Sequence, residues 1–125
     1  MVKTLDVIWI HDQYIHPKDR KMAVIVEPDC LFYFRFNSSD RWQPALLVEK
    51  EPHHRFLKYD SFLQCDLANE LTEFDVEQAL NAEGVIGTVH ASFAEPIYAL
   101  VKANPKIANV DKRAIGLALV GAKRL

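Results

Sequence analysis

Three polar clusters hold the residues of this chain whose types and spacing could do chemistry. The most basic is His16-Pro17-Lys18-Asp19-Arg20-Lys21. Arginine presents a planar fork of donors matched to phosphate, and lysine a point charge. The same stretch also suits a solvated loop whose charges serve solubility. The second cluster is Asn37-Ser38-Ser39 with Arg41 and Trp42. Hydroxyls and an amide can orient a phosphate or a ribose hydroxyl, and an indole can stack on a base for roughly 1–3 kcal/mol. An ordinary turn held by local side-chain-to-backbone bonds would use the same residues.

The third cluster, His53-His54-Arg55, follows Pro52. Histidine titrates near neutral pH and is the usual general acid or base. Neighbouring side chains on an extended chain point to opposite sides, so at most one of the pair is expected to serve a given site. Taken with Asp60 and Cys65, they match no tight zinc spacing, and no metal site is expected. Cys30 and Cys65 form no C-x-x-C pair and read as buried structural thiols. No P-loop, G-x-G-x-x-G or G-x-S-x-G pattern occurs. Nucleotide hydrolases, dinucleotide enzymes and α/β-hydrolases are therefore unsupported, and no cofactor is expected.

These clusters need elements to hold them. Leu5 to Ile10 is rich in β-branched and aromatic residues and predicts a first strand. The polar run from His11 to Lys21 predicts an exposed loop, and Met22 to Val26 a strand buried on both faces. From Leu31 to Asn37 the residues alternate, with Phe32, Phe34 and Phe36 on one face and Tyr33, Arg35 and Asn37 on the other. That period of two is the clearest strand signal in the chain. Pro44 to Glu49, Arg55 to Lys58 and Ser61 to Cys65 predict further short extended pieces.

Helices come late. Thr72 with Asp75 resembles a capping box opening a helix that Gly84 stops. Val85 to Val89 predicts a strand. Phe93, Ile97, Leu100 and Val101 share one helical face, with Pro96 in the first turn and Asn104-Pro105 at the end. Asp111 to Leu119 predicts a last helix. Strands preceding helices give an α+β fold: a small curled antiparallel sheet with two or three short helices, mainly C-terminal.

Composition sets the outer bounds. The chain has 125 residues, within the usual range of roughly 100–200 for one domain, so residues 1–125 read as a single domain. Half the residues are hydrophobic and 26% are charged, which argues against intrinsic disorder. The net charge of −2 weakens any reading as a duplex-DNA binder, which needs a broad basic field. No apolar run approaches the roughly 20 residues that span a membrane, and Met1 to Asp6 shows no secretory signal. The expectation is a cytoplasmic protein.

The order of these features resembles the MazF/PemK family of toxin endoribonucleases. Asp6-Val7-Ile8-Trp9-Ile10 is similar to the family's opening strand. Arg20-Lys21-Met22-Ala23-Val24-Ile25-Val26 is similar to its second strand, which begins with a basic residue. Leu57 to Phe62, then Leu71, Val76 and Leu80, then Gly84 to Val89, resemble its Ser-containing strand, short helix and final strand. The likeness spans roughly residues 5–103.

The resemblance implies an SH3-like barrel, a homodimer, a partner antitoxin and metal-independent cleavage of single-stranded RNA by attack of a ribose 2′-hydroxyl. It puts the arginine role on Arg20, with Lys21 as the neighbouring alternative, and the hydroxyl role on Ser38, with Ser39 second to it. Lys18, Lys21, Ser39, Trp42 and His53 are then the substrate-binding candidates. The family's Arg-Pro pair reads Lys21-Met22 here and its Thr-Ser pair reads Asn37-Ser38. Those departures and the acidic balance support an alternative, a non-catalytic SH3-like barrel that binds a protein or peptide.

Overall fold

The computed structural model describes residues 1–12 and 19–123. Lys18, with the rest of the segment 13–18, lies outside them. The described elements run β1 (Asp6–Asp12), β2 (Asp19–Glu27), β3 (Phe32–Asn37), β4 (Ala45–Val48), β5 (Ser61–Glu70), α1 (Glu73–Ala82), β6 (Gly87–Thr88), α2 (Ala94–Ala103) and α3 (Asn109–Lys123). The strands form one curled antiparallel half-barrel in the order β4-β5-β3-β2-β1-β6. The α+β expectation holds, with the three described helices following the five longer strands.

Alternation along each strand feeds two cores, one on each face of the sheet. Val7, Val24, Phe32, Phe34, Phe36 and Leu63 face the larger core, closed by Ile97 and Val101 of α2 and Ile115 and Leu119 of α3. Ile8, Ile10, Ala23, Ile25 and Tyr33 face the other side, where Val76 and Ala79 of α1 cover them. β2 is therefore buried on both faces, as its unbroken apolar run requires. Register shifts interrupt the β2–β3 ladder between Ile25 and Glu27 and the β3–β5 ladder between Tyr33 and Arg35. Such irregularities bend a strand and raise its twist, which fits the curl of the sheet.

Three expectations are corrected. His11 and Asp12 continue β1, and Asp19 to Lys21 already belong to β2, so Arg20 and Lys21 stand on a strand rather than in a loop. Pairing across β1–β2 overrides their polarity. Arg55 to Lys58 is turn and bend. There Leu57 is buried and His54 is tied to the backbone at both ring nitrogens, so the segment folds over the core instead of pairing with a strand. Val85 to Val89 contributes only Gly87–Thr88 to the sheet, opposite Asp6 and Val7.

The capping box is present. Thr72 Oγ1 accepts from the Asp75 N–H, and the Asp75 carboxylate accepts from the Thr72 N–H. Gly84 ends α1 with φ +72°, a conformation glycine adopts at little cost. Among the described residues no helix is long and apolar enough to cross a membrane.

Candidate functional site

Arg20 pairs with His11 across β1–β2. Its guanidinium lies 4.8 Å from the centroid of the Trp9 ring and forms an ion pair with Glu83. Glu83 is the C-cap of α1, and the last turn of that helix carries no basic residue. Arg20 thus brings to the negative helix end the cation that the helix itself lacks. The two side chains remain 41% and 38% exposed, so this is a surface pair, worth about 0.2–1 kcal/mol. A cavity of about 510 Å³ opens beside it, between the β1 edge and α1, lined by Trp9, His11, Arg20, Asp75, Gln78 and Glu83 among others.

Across β2–β3 the ladder pairs Val24 with Phe34 and Ala23 with Arg35. Continuing that register sets Lys21 opposite Asn37 and Arg20 opposite Ser38. The first of these is borne by a contact, since Lys21 Nζ lies 3.4 Å from Asn37 Oδ1. Ser38 and Ser39 begin the exposed turn after β3. In that turn the Arg41 guanidinium sits 5.1 Å from the Trp42 ring centroid, and Trp42 is 50% exposed. The ends of β1, β2 and β3 therefore carry two arginine–tryptophan pairs, a lysine, two serines and a histidine.

His53 stands elsewhere. Its ring stacks on that of His90 with centroids 4.0 Å apart. The chain just before His90 bonds to Leu5, through Val89 N–H, which is the opposite end of β1 from His11 and Arg20. The neighbouring His54 is 2% exposed. Its Nδ1 lies 2.8 Å from the Glu49 carbonyl oxygen, and its Nε2 accepts the His90 backbone N–H at 3.0 Å. Only the neutral ring with its proton on Nδ1 satisfies both partners. Burial lowers the His54 pKa below the ordinary histidine value, and His53 and His90 add to this, while the bond to Glu49 opposes it. His54 is thus a satisfied core histidine that fastens the β4–β5 loop over the sheet.

Among the described residues no group of three histidine, cysteine or carboxylate side chains is arranged to hold a metal ion. Cys65 is buried and its thiol is pushed up to about 12, chiefly by burial. That placement suits the structural role expected of it. Cys30, expected to be buried as well, is exposed.

Three site residues escape a reading of the sequence alone. Trp9 looks like strand filling, His11 like loop, and Glu83 like helix surface. The signal that joins them is strand register and the return of the α1 end to the β1 edge, neither of which is local. No protein-family model, no curated protein and no solved structure matches the chain.

Proposed function

We propose that this chain is a metal-independent endoribonuclease of MazF/PemK type, acting on single-stranded RNA in the cytoplasm as a homodimer and restrained by an antitoxin. The observation that supports the reading is the Lys21–Asn37 contact between β2 and β3, with Arg20 next to Lys21 on β2 and Ser38 next to Asn37 at the end of β3. Arg20 and Ser38 are the two positions on which the family resemblance puts the reaction.

The chemistry is a transesterification. The ribose 2′-oxygen attacks phosphorus, the bond to the 5′-oxygen breaks, and a 2′,3′-cyclic phosphate and a 5′-hydroxyl result. Arg20 stabilises the charge that grows on the phosphoryl oxygens. Because its pair with Glu83 is exposed and weak, a phosphate can displace the carboxylate. Ser38 orients the scissile phosphate. His11, directly across from Arg20, takes the 2′-hydroxyl proton, and that proton passes to the departing 5′-oxygen, so the step is net neutral in protons. Trp9 and Trp42 offer faces on which flanking bases stack.

The test is cleavage of a long single-stranded RNA in EDTA. Arg20→Ala lowers the rate by about 100-fold or more, the usual cost of one preorganised charge donor. An unchanged rate in a folded Arg20→Ala protein removes Arg20 from the site.

One observation favours the second reading, a peptide-binding barrel. Arg20 is held by Glu83, and Asp75 and Glu83 line the same cavity. A cavity rimmed by carboxylates suits a basic peptide better than a phosphodiester. RNA that stays intact and unbound in the presence of folded protein selects that reading.

A further inference from the structure

Helix α3 is apolar on two sides. Ile115 and Leu119 are buried in the larger core. Val110, Leu117 and Val120 point the other way and are 71%, 71% and 41% exposed. Arg113 is exposed with them, and the four recur at spacings of three and four residues, which makes one stripe along the helix. A helix on the surface of a soluble domain ordinarily turns charged and polar residues to that side. An apolar stripe there marks a surface that a partner covers.

A second uncovered surface lies on the opposite face of the sheet. A groove of about 500 Å³ runs beside α1, between that helix, the start of the chain and the β2–β3 turn. Val2, Leu31, Val76 and Leu80 give it an apolar lining, and the exposed carboxylates of Asp29, Glu73 and Glu77 rim it. It is distinct from the cavity beside Arg20, with which it shares one lining residue, Asn81.

Charge distinguishes the two surfaces and says what covers each. Residues 102–125 hold six lysines and arginines against a single acidic side chain, Asp111. Between Lys58 and Lys102 the chain holds eight aspartates and glutamates and no lysine or arginine. Two α3 stripes laid face to face would bring like charges together, which is costly. The α3 stripe and the α1 groove instead match in both respects, apolar against apolar and basic against acidic. One molecule cannot join them. α3 packs on the sheet face of Val24 and Phe34, α1 on the face of Ile25 and Tyr33, and the sheet stands between. The match is therefore met between copies.

We propose that α3 of one copy of this chain seats in the α1 groove of a second copy, its apolar stripe covering Val76 and Leu80 and Arg113 meeting the carboxylate rim. This is the helix-in-groove mode of recognition. The contact is heterologous, since it joins two different patches. Two copies close on each other when both such contacts form at once, and otherwise further copies add in a row. One helix in one groove is a small interface, so the association is weak and depends on concentration. The contact uses neither Arg20 nor Ser38 and stands or falls apart from the RNA reading.

The experiment is sedimentation velocity of the whole chain over about 1 μM to 1 mM. The native protein self-associates as its concentration rises, and added salt weakens the association by screening Arg113 from the rim. Leu117→Asp blocks the stripe, and Glu73→Gln with Glu77→Lys blocks the groove. Each weakens self-association by about tenfold or more. All three positions are exposed, and circular dichroism confirms that the variants are folded. Mixing the two variants is decisive. Each retains the surface that the other lacks, so the mixture forms a one-to-one pair that neither forms alone.

A native protein that stays monomeric over this range overturns the proposal, whether or not α3 then binds another protein or an anionic lipid surface. A groove variant that self-associates like the native protein overturns it too, because α3 would then pair with α3. So does a mixture in which the two folded variants ignore each other. Should a variant fail to fold, Arg113→Glu replaces Leu117→Asp, or Asp29→Lys replaces the α1 changes, with the same expected results.

Discussion

Arg20 sits among groups that pull in different directions: Trp9 holds its guanidinium by a cation–π contact and Glu83 pairs with it, and in the proposed reaction a phosphate displaces that carboxylate. Removing that competitor has a definite sign. Glu83→Gln strengthens binding of a single-stranded oligonucleotide severalfold, of the order of the 0.2–1 kcal/mol of an exposed pair; weaker binding in that variant would show that Glu83 supports the site rather than masking it. Thiol chemistry gives a second check. Buried Cys65, its thiol pushed up to about 12, stays unmodified by a thiol reagent in the native protein while exposed Cys30 reacts, and both react in denaturant. At this scale the sequence was informative about residue type and poor about company. Arg20, Ser38 and Trp42 could be picked out because arginine, serine and tryptophan have recognisable uses. Their neighbours Trp9, His11 and Glu83 could not, because nothing within a few residues of any of them shows that β1, β2 and the end of α1 meet. The surroundings of His53 could not be read either, because its stacking partner, His90, lies far along the chain.

Elements carry local signals more faithfully. The Thr72–Asp75 box and the alternation of Phe32, Phe34 and Phe36 could both be read directly, since each rests on spacing within a few residues. Arg55 to Lys58 could not, because its conformation follows from His54 gripping Glu49 and His90 across the fold. Two predictions belong here. Thr72→Ala removes the N-cap acceptor of α1 and destabilises the protein by about 1 kcal/mol in denaturant unfolding. In α3 two glycines should respond oppositely. A Cβ at Gly116 would come within 2.7 Å of the Tyr98 ring, where α3 packs on α2, whereas one at Gly121 would meet nothing within 4 Å. Gly116→Ala therefore costs about 1–3 kcal/mol through overpacking. Gly121→Ala stabilises by about 0.4–1 kcal/mol through the better helix propensity of alanine and its less flexible unfolded chain. Equal effects at the two positions would contradict the close helix contact.

For the molecule as a whole, His54 ties the loop between β4 and β5 to the chain after β6. Its pKa is lowered by burial in the folded state, while in the unfolded chain it stays near the reference value of about 6.5. The unfolded state therefore binds the proton first as pH falls. The contribution of His54 is present above about pH 6.5 and is lost progressively below it, toward the lowered folded value. Denaturant midpoints fall between pH 7.5 and 5.5, a range above the carboxylates' ordinary values of about 4, and His54→Gln flattens that slope whatever its own stability. Charge is also unevenly distributed, since no lysine or arginine lies between Lys58 and Lys102. Cations for a bound RNA would come from the first half of the chain or from its tail, and the site proposed for RNA draws on the first. The central claim is that this site cuts RNA through a ribose 2′-hydroxyl. Its most direct measurement uses two strands of one sequence in EDTA, one all RNA and one carrying 2′-O-methyl groups throughout, with product ends identified by mass. The account predicts cleavage of the first strand alone, leaving 2′,3′-cyclic phosphate and 5′-hydroxyl ends. Cleavage of both strands, or an all-RNA strand left intact by folded protein, contradicts it.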